Sequence, residues 1–379
     1  MTYRLLAAGD RPTYAVLEFN PSSSSLKILK ESPAPPNSSW LEHPAIKLDN
    51  SSGQVVYADS EDDGLVFTLV IKEDGDTETT SERKTHGGTA HIHCLKDGSG
   101  IVSANYIGGT VILHPTDPST GVLSQTSESP LLHFPYPYEG QTPPNKDRQQ
   151  ANHLHQVIEG EGGKLYCSDL GADRIWIVQR KGESGLELSG WLQCPPGSGP
   201  RHAVLSADGS KLYAIGEMSH EVFAFDLNDD SQPLLPIPKF SVNIIPPTVP
   251  TSHQRLMDSS ELYFHPKIPT TLYVTNRWEL RIQEREPHLN ALPEKQTGDA
   301  VAVILLAKNG VTVEGVKHIR TGLDVIRGMQ ITPDGKYAVL GGQEGGGIEI
   351  YEIRGEKGDS WVKVAEERSV SGTKDFLWL

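Results

Sequence analysis

One spacing pattern, repeated along the chain, limits what this sequence can fold into more than any bulk property does. In "GPRHAVLSADGSKLYAIGE" the turn glycine Gly209 has His202 seven residues before it and Glu217 eight after it, with the apolar Val222 five further on. The same offsets join His91, Gly98, Tyr106 and Val111, and again His155, Gly162, Leu170 and Ile175. Ile46, Gly53, Glu61 and Val66 follow them near the N-terminus, as do Gly328, Gly335, Gln343 and Ile348 near the C-terminus. A degenerate sixth copy, "ELYFHPKIPTTLYVTNRWELRI", lacks the glycine but sets Arg277 at the mark of Glu217 and Ile282 at that of Val222.

Each copy reads as an apolar strand, a D-G or S-G turn, a second strand rich in Tyr, Val and Ala, another turn and a third strand. Asp-Gly between alternating apolar runs is a strong hairpin signal. No stripe of helical period outlasts two turns. Repeats of about 50 residues built from short strands are the signature of a β-propeller. Six copies cover Ile46 to Tyr351, which leaves a strand pair from Tyr3 to Phe19 and the C-terminal "DFLWL". We expect these two pieces to form one split seventh blade, because ring closure hides the sheet edges that a linear array exposes. The expected architecture is all-β: a single seven-bladed propeller domain over residues 1–379, one blade being closed by the N- and C-terminal strands. Three Pro-rich segments break the spacing, at about 115–152, 228–261 and 281–300. Long loops inside a compact fold are usually functional.

The chain carries a formal net charge of -15, from 49 acidic and 34 basic residues. That excess argues against nucleic acid and acidic membrane surfaces as partners. No segment reaches the ~18 consecutive apolar residues of a membrane span, and "MTYRLLAAGDRPTYAVLEF" lacks the basic flank and apolar run of a signal peptide. Cys94, Cys167 and Cys194 are too few and too scattered for a disulfide framework or a CxxC metal site. A cytoplasmic setting is expected, and a homo-oligomer is compatible with everything above. An anionic substrate would need a local cationic island within this acidic field.

In a propeller the innermost strands surround the axis, so equivalent marks in successive blades converge on one cavity. The third mark reads Glu61, Tyr106, Leu170, Glu217, Arg277 and Gln343. The first reads His91, His155, His202 and Gly328, preceded by Ala90, Leu154, Arg201 and Arg327. Unlike polar groups at equivalent marks suit an asymmetric ligand. In purely structural terms the histidines would bond between blades and Glu217 would pair with Arg277. In functional terms Arg201 and Arg277 present planar forks that match a carboxylate or phosphate. His155 and Glu217 could then move a proton, with His202, Tyr106, Gln343 and Arg327 as additional candidates. The His91-x-His93 and His153-x-His155 pairs have no carboxylate close in sequence, and no metal is expected. No GxGxxG, P-loop or nucleophilic serine motif occurs, which argues against acyl-enzyme, nucleotide-cofactor and NTPase readings. A propeller serving only as a protein-binding scaffold would have its axis plugged by side chains.

The segments "NHLHQVIEGEGGKLYCSDLGADRIWIV", "GPRHAVLSADGSKLYAIGEMSHEVFAF" and "AHIHCLKDGSGIVSANYIGGTVILH" resemble the seven-bladed lactonase family, from about residue 3 to the end. That family includes propeller-type 6-phosphogluconolactonases and the fungal 3-carboxy-cis,cis-muconate lactonizing enzyme. The resemblance to the fungal cyclase implies an active-site set of His155 in "LHQV", Arg201 in "GPRH", Glu217 in "LYAIGE" and Arg277 in "YVTNR", with no metal or organic cofactor. It implies a small anionic substrate, either a polycarboxylate or a phosphorylated lactone. The expected activity is interconversion of a muconate-type acid and its γ-lactone in aromatic-compound catabolism, with lactone hydrolysis of the 6-phosphogluconolactonase type as the alternative.

Overall fold

A computed structural model describes residues 2–46, 48, 53–126, 129–288 and 296–379, and in it seven four-stranded antiparallel sheets are formed. The first sheet orders Thr373–Trp378, Tyr3–Gly9, Thr13–Asn20 and Ser25–Pro33, so both ends of the chain build blade 1. Blades 2 to 7 lie within residues 41–84, 89–133, 154–193, 200–243, 258–320 and 324–367. The first strand of every sheet touches the first strands of both neighbouring sheets, so seven inner strands encircle one axis. The seven-bladed ring with one split blade is therefore as expected from the repeat.

The D-G turns work as their residues dictate. Gly209 has φ +69° and donates its N–H to the Ser206 carbonyl at 2.9 Å. Asp208 accepts from the hydroxyls of Ser206 and Ser210 at 2.6 and 2.8 Å. Gly98 and Gly335 make the same bond, each at 2.8 Å, to Leu95 and Thr332. A Cβ is strained at positive φ, which is why glycine recurs at this mark.

Blades pack face to face through apolar residues. Leu5, Leu17, Phe19 and Phe376 of blade 1 meet Val339, Ile348 and Ile350 of blade 7. The closing strand pairs Trp378, Leu377 and Phe376 with Leu5, Leu6 and Ala7. Buried carboxylates staple the loops at one rim. Asp169 accepts from the backbone N–H of His153, Gly171 and Ala172 and from Trp176 Nε1, all within 3.1 Å; burial pushes its carboxyl up to about 6. Asp173 accepts from Tyr138 Oη at 2.6 Å and from the N–H groups of Gly197 and Gly199.

Several local expectations need correction. Ile282 sits in a short helix, Ile282–Arg285, because the insertion falls between the second and third strands of blade 6; the third strand is Ala300–Leu306. Ile46 lies outside any strand, since the inner strand of blade 2 is the short Leu41–Glu42. The 228–261 segment is not all loop. It holds the outer strand Ser241–Asn243, a helical turn at Thr251–Gln254 and the start of Asp258–His265. Part of the 281–300 segment, residues 289–295, lies outside the described residues.

Ring closure rests on the C-terminal strand, so Phe376→Ala should cost about 3–5 kcal/mol. Urea unfolding should show a lowered midpoint with an unchanged slope.

Candidate active site

At one end of the axis a cavity of about 180 Å³ opens to solvent. Its lining comes from almost every blade. Glu61 follows the second strand of blade 2, Ala90 and Tyr106 belong to blade 3, and His155 lies on the inner strand of blade 4. Glu217 follows the second strand of blade 5, Arg277 ends that of blade 6, and Arg327 stands on the inner strand of blade 7. The eighth lining residue is Arg148, from the 115–152 insertion.

Glu217 is the electrostatic centre. Its Oε1 pairs with Arg148 Nη2 and lies 3.2 Å from Arg277 Nη2, while its Oε2 lies 3.2 Å from Arg201 Nε. Burial pushes its carboxyl up, but Arg277, Arg148 and Arg201 together outweigh that and hold it far below the usual range. Glu217 is an ionised, fully engaged carboxylate. Arg277 also donates to the Ser259 carbonyl at 2.8 Å. Across the cavity Arg327 Nη2 lies 3.5 Å from Glu61 Oε2, with Lys374 Nζ at 4.0 Å from the same oxygen. Three arginines against two already paired glutamates make the cationic island that the acidic chain needs.

His155 lies in a bulge where the pairing of blade 4 shifts between Leu154 and Gln156. Burial first, then Arg201 and its other cationic neighbours, holds the imidazole well below its ordinary value, so it is neutral. Its Nδ1 is buried without a hydrogen-bonding partner, which leaves Nε2 for the cavity. Tyr106 edges onto its ring at 5.7 Å and stacks on His153 at 4.5 Å.

Of the expected site residues, the fold brings His155, Glu217, Arg277, Tyr106 and Arg327 to the cavity. Arg201, His202 and Gln343 do not line it. Arg201 is 2% exposed and turned inward, donating to the Ser260 carbonyl at 2.8 Å and to Glu261 Oε1 at 3.1 Å. It reaches the site only through Glu217. His202 is likewise interior, with Nδ1 3.1 Å from Glu261 Oε2. Gln343 misses because the glycine-rich second strand of blade 7 runs on to Gly345, so this mark falls inside a strand and not at its end. One member of each His-x-His pair turns to another partner: His153 Nδ1 donates to the Tyr106 carbonyl at 2.9 Å, and His93 lies 3.7 Å from both Glu42 and Glu159.

Spacing missed Arg148 because it lies outside the repeat. The available signal was a basic pair, Lys146 and Arg148, inside the longest insertion and just ahead of "NHLHQ". The insertion crosses the rim by Tyr138 to Asp173 and by Asn145 Nδ2 to Met218 Sδ at 3.3 Å. Gln149 then anchors its return to the Leu170 carbonyl at 3.0 Å.

A family model for the seven-bladed β-propeller lactonases matches residues 10–370. The chain belongs to that family. This lactonase-family chain is 24% identical over 372 residues to a 6-phosphogluconolactonase of Formosa agariphila, covering 95% of this chain and 94% of that one. It is 24% identical over 360 residues to the probable 6-phosphogluconolactonase of Arthroderma benhamiae, covering 91% and 80%. Among solved structures, a putative 6-phosphogluconolactonase of Bacteroides fragilis shares the fold at TM-score 0.76 and 22% identity, over 100% of this chain and 98% of the other. A stretch of 77 residues is 38% identical to muconate cycloisomerase 1 of Cutaneotrichosporon cutaneum, 20% of this chain and 21% of that one.

The arginines of this lactonase-family site differ in kind. Arg201→Met takes from the buried Glu261 its arginine and from Glu217 one of its three, and should cost about 3–5 kcal/mol. Arg148→Ala, on the half-exposed insertion, leaves Glu217 paired with Arg201 and Arg277 and should cost less than Arg201→Met. Thermal and urea unfolding of the two variants will separate them.

Proposed function

We propose that this protein hydrolyses a small anionic lactone of the 6-phosphogluconolactone type. The observation that carries this is the pairing in the cavity: Glu217 is clamped by Arg148, Arg201 and Arg277, which leaves His155, its proton affinity lowered by burial and by Arg201, as the group placed to act as a base. Cyclisation of a muconate requires an acid that delivers a proton to carbon; an ionised Glu217 has none, and the N–H of a neutral imidazole is far too weak an acid to serve. Hydrolysis requires a base, and a neutral imidazole is one. The full-length relatives named as 6-phosphogluconolactonases favour the same choice.

In this mechanism a water molecule gives its proton to His155 as its oxygen adds to the lactone carbonyl. Arg277 faces the developing oxyanion, a donor worth about 3–4 kcal/mol. Arg148 and Arg327 bind the phosphate or carboxylate as forks from opposite walls. The ring C–O bond then breaks and the departing oxygen takes the proton from His155. Glu217 acts by fixing Arg148, Arg201 and Arg277, not by carrying a proton. No metal or organic cofactor enters the scheme.

The short match to a muconate cycloisomerase supports a second reading, opening of a muconolactone by elimination, with His155 removing the proton alpha to the carboxylate. The two differ in product: elimination creates a conjugated diene with strong ultraviolet absorbance, hydrolysis a hydroxy acid without it. Cys94, Cys167 and Cys194 are unpaired and buried, which suits a reducing, cytoplasmic compartment. Among the described residues no helix is long and apolar enough to cross a membrane.

A pH-stat assay on a panel of phosphorylated sugar lactones should show acid release by the wild type. His155→Ala should lower kcat by about 10²–10⁴-fold, and Arg148→Ala should chiefly raise KM. Undiminished hydrolysis by His155→Ala would remove the base and the proposal with it. Because His155 titrates below its ordinary value of 6.5, its basic form is already populated there. The rate kcat/KM should stay flat as pH falls from about 8 to 6.5 and decline only below that.

A further inference from the structure

Beneath the cavity floor lies a buried pair that the hydrolytic mechanism does not use directly. Glu261 is 2% exposed, on the inner strand of blade 6 where the pairing shifts between Ser259 and Leu262. Its backbone N–H donates to Thr275 Oγ1 at 2.9 Å, which locks its place in the bulge. Its two oxygens face different partners: Oε1 accepts from Arg201 Nη1 at 3.1 Å, while Oε2, which accepts no aligned hydrogen bond, lies 3.1 Å from His202 Nδ1. A carboxylate accepts only, so this contact favours the His202 tautomer with its proton on Nδ1 and Nε2 as an acceptor. That Nε2 is buried without a partner.

The matching donor is close. The His202 and His155 rings lie 5.3 Å apart between centroids and are inclined at 65°, so one ring's nitrogen comes within hydrogen-bonding reach of the other only when the two are aligned. His155 Nδ1 is the orphaned atom on that side. Neither nitrogen has a partner as the rings stand, so the bond proposed below forms when the two imidazoles turn toward each other. His91 is the other nearby imidazole, but its ring is 6.1 Å from His202, lies against Trp40 at 4.1 Å and does not line the cavity.

We propose that Glu261 and His202 are positioning residues that form a carboxylate–imidazole–imidazole chain with His155, fixing its proton on Nδ1 and its lone pair on Nε2. When Nε2 takes the proton from water, the new charge is stabilised through His155 Nδ1–H to His202 Nε2 and through His202 Nδ1–H to Glu261. No proton need leave the chain, and the same proton returns to the departing ring oxygen. An outer carboxylate that orients a catalytic imidazole acts in this way elsewhere. Through Arg201 the same Glu261 also steadies Glu217, so one buried carboxylate holds both the base and the anion clamp.

The role of the chain in turnover rests on the hydrolytic reading, but its geometry is testable without any substrate. Protein labelled with ¹⁵N-histidine reports each tautomer by its nitrogen shifts and two-bond couplings. Wild-type His155 should be protonated on Nδ1, while Glu261→Gln and His202→Phe should give a mixture of tautomers. In the lactone assay both variants should lose roughly 10²-fold in kcat, with KM within about twofold of wild type. A wild-type His155 protonated on Nε2 overturns the proposal, as do variants with an unchanged tautomer and unchanged kcat. If neither variant folds, the wild-type spectrum alone decides. The expected tautomers in a protein that hydrolyses no lactone would sink the hydrolase reading and leave the chain standing.

Discussion

Everything in this molecule depends on closing the ring. Pairing of Thr373–Trp378 with Tyr3–Gly9 joins the last strand of the chain to the first, and only a closed ring brings seven inner strands around one axis. A propeller sheet cannot bury both faces alone, so each blade is stabilised by its two neighbours. Closure also converts residues hundreds of positions apart into neighbours. The site residues come from six blades and one insertion, and none of the blades could hold them separately.

Within that ring the dominant local constraint is charge in a confined space. An ionised glutamate away from water is costly unless paired. Glu217 is surrounded by Arg148, Arg201 and Arg277, and the arginines are held in turn by Glu261, Asp258 and backbone carbonyls. The resulting lattice is rigid, and it sets the protonation state of everything nearby. Cations lower the neighbouring imidazole's affinity for a proton and keep the carboxylate ionised. A single network therefore explains why one group is a base and the other an anchor.

The sequence made much of this legible because turn chemistry is local. Gly98, Gly209 and Gly335 mark hairpins whose geometry needs glycine wherever they occur, so the blade count and the split blade could be read directly. The marks at or just past the ends of second strands at the mouth, Tyr106, Glu217 and Arg277, could be projected onto one cavity for the same reason. Projection failed where local register departs from the repeat. Gln343 lies inside an extended glycine-rich strand, and Ile282 is displaced by an insertion. Arg148 had no mark at all.

Sequence alone determined the architecture, the identity of the polar marks and the resemblance to the lactonases, since all three follow from residue order and near-neighbour chemistry. Only the tertiary structure decided which arginines face the cavity and which are buried behind it. Arg201 and His202 adjoin in sequence to the proposed wall, yet a bulge and a carboxylate from the next blade turn them inward. Side-chain direction at a blade junction is set by partners on other blades, and those partners are far away along the chain.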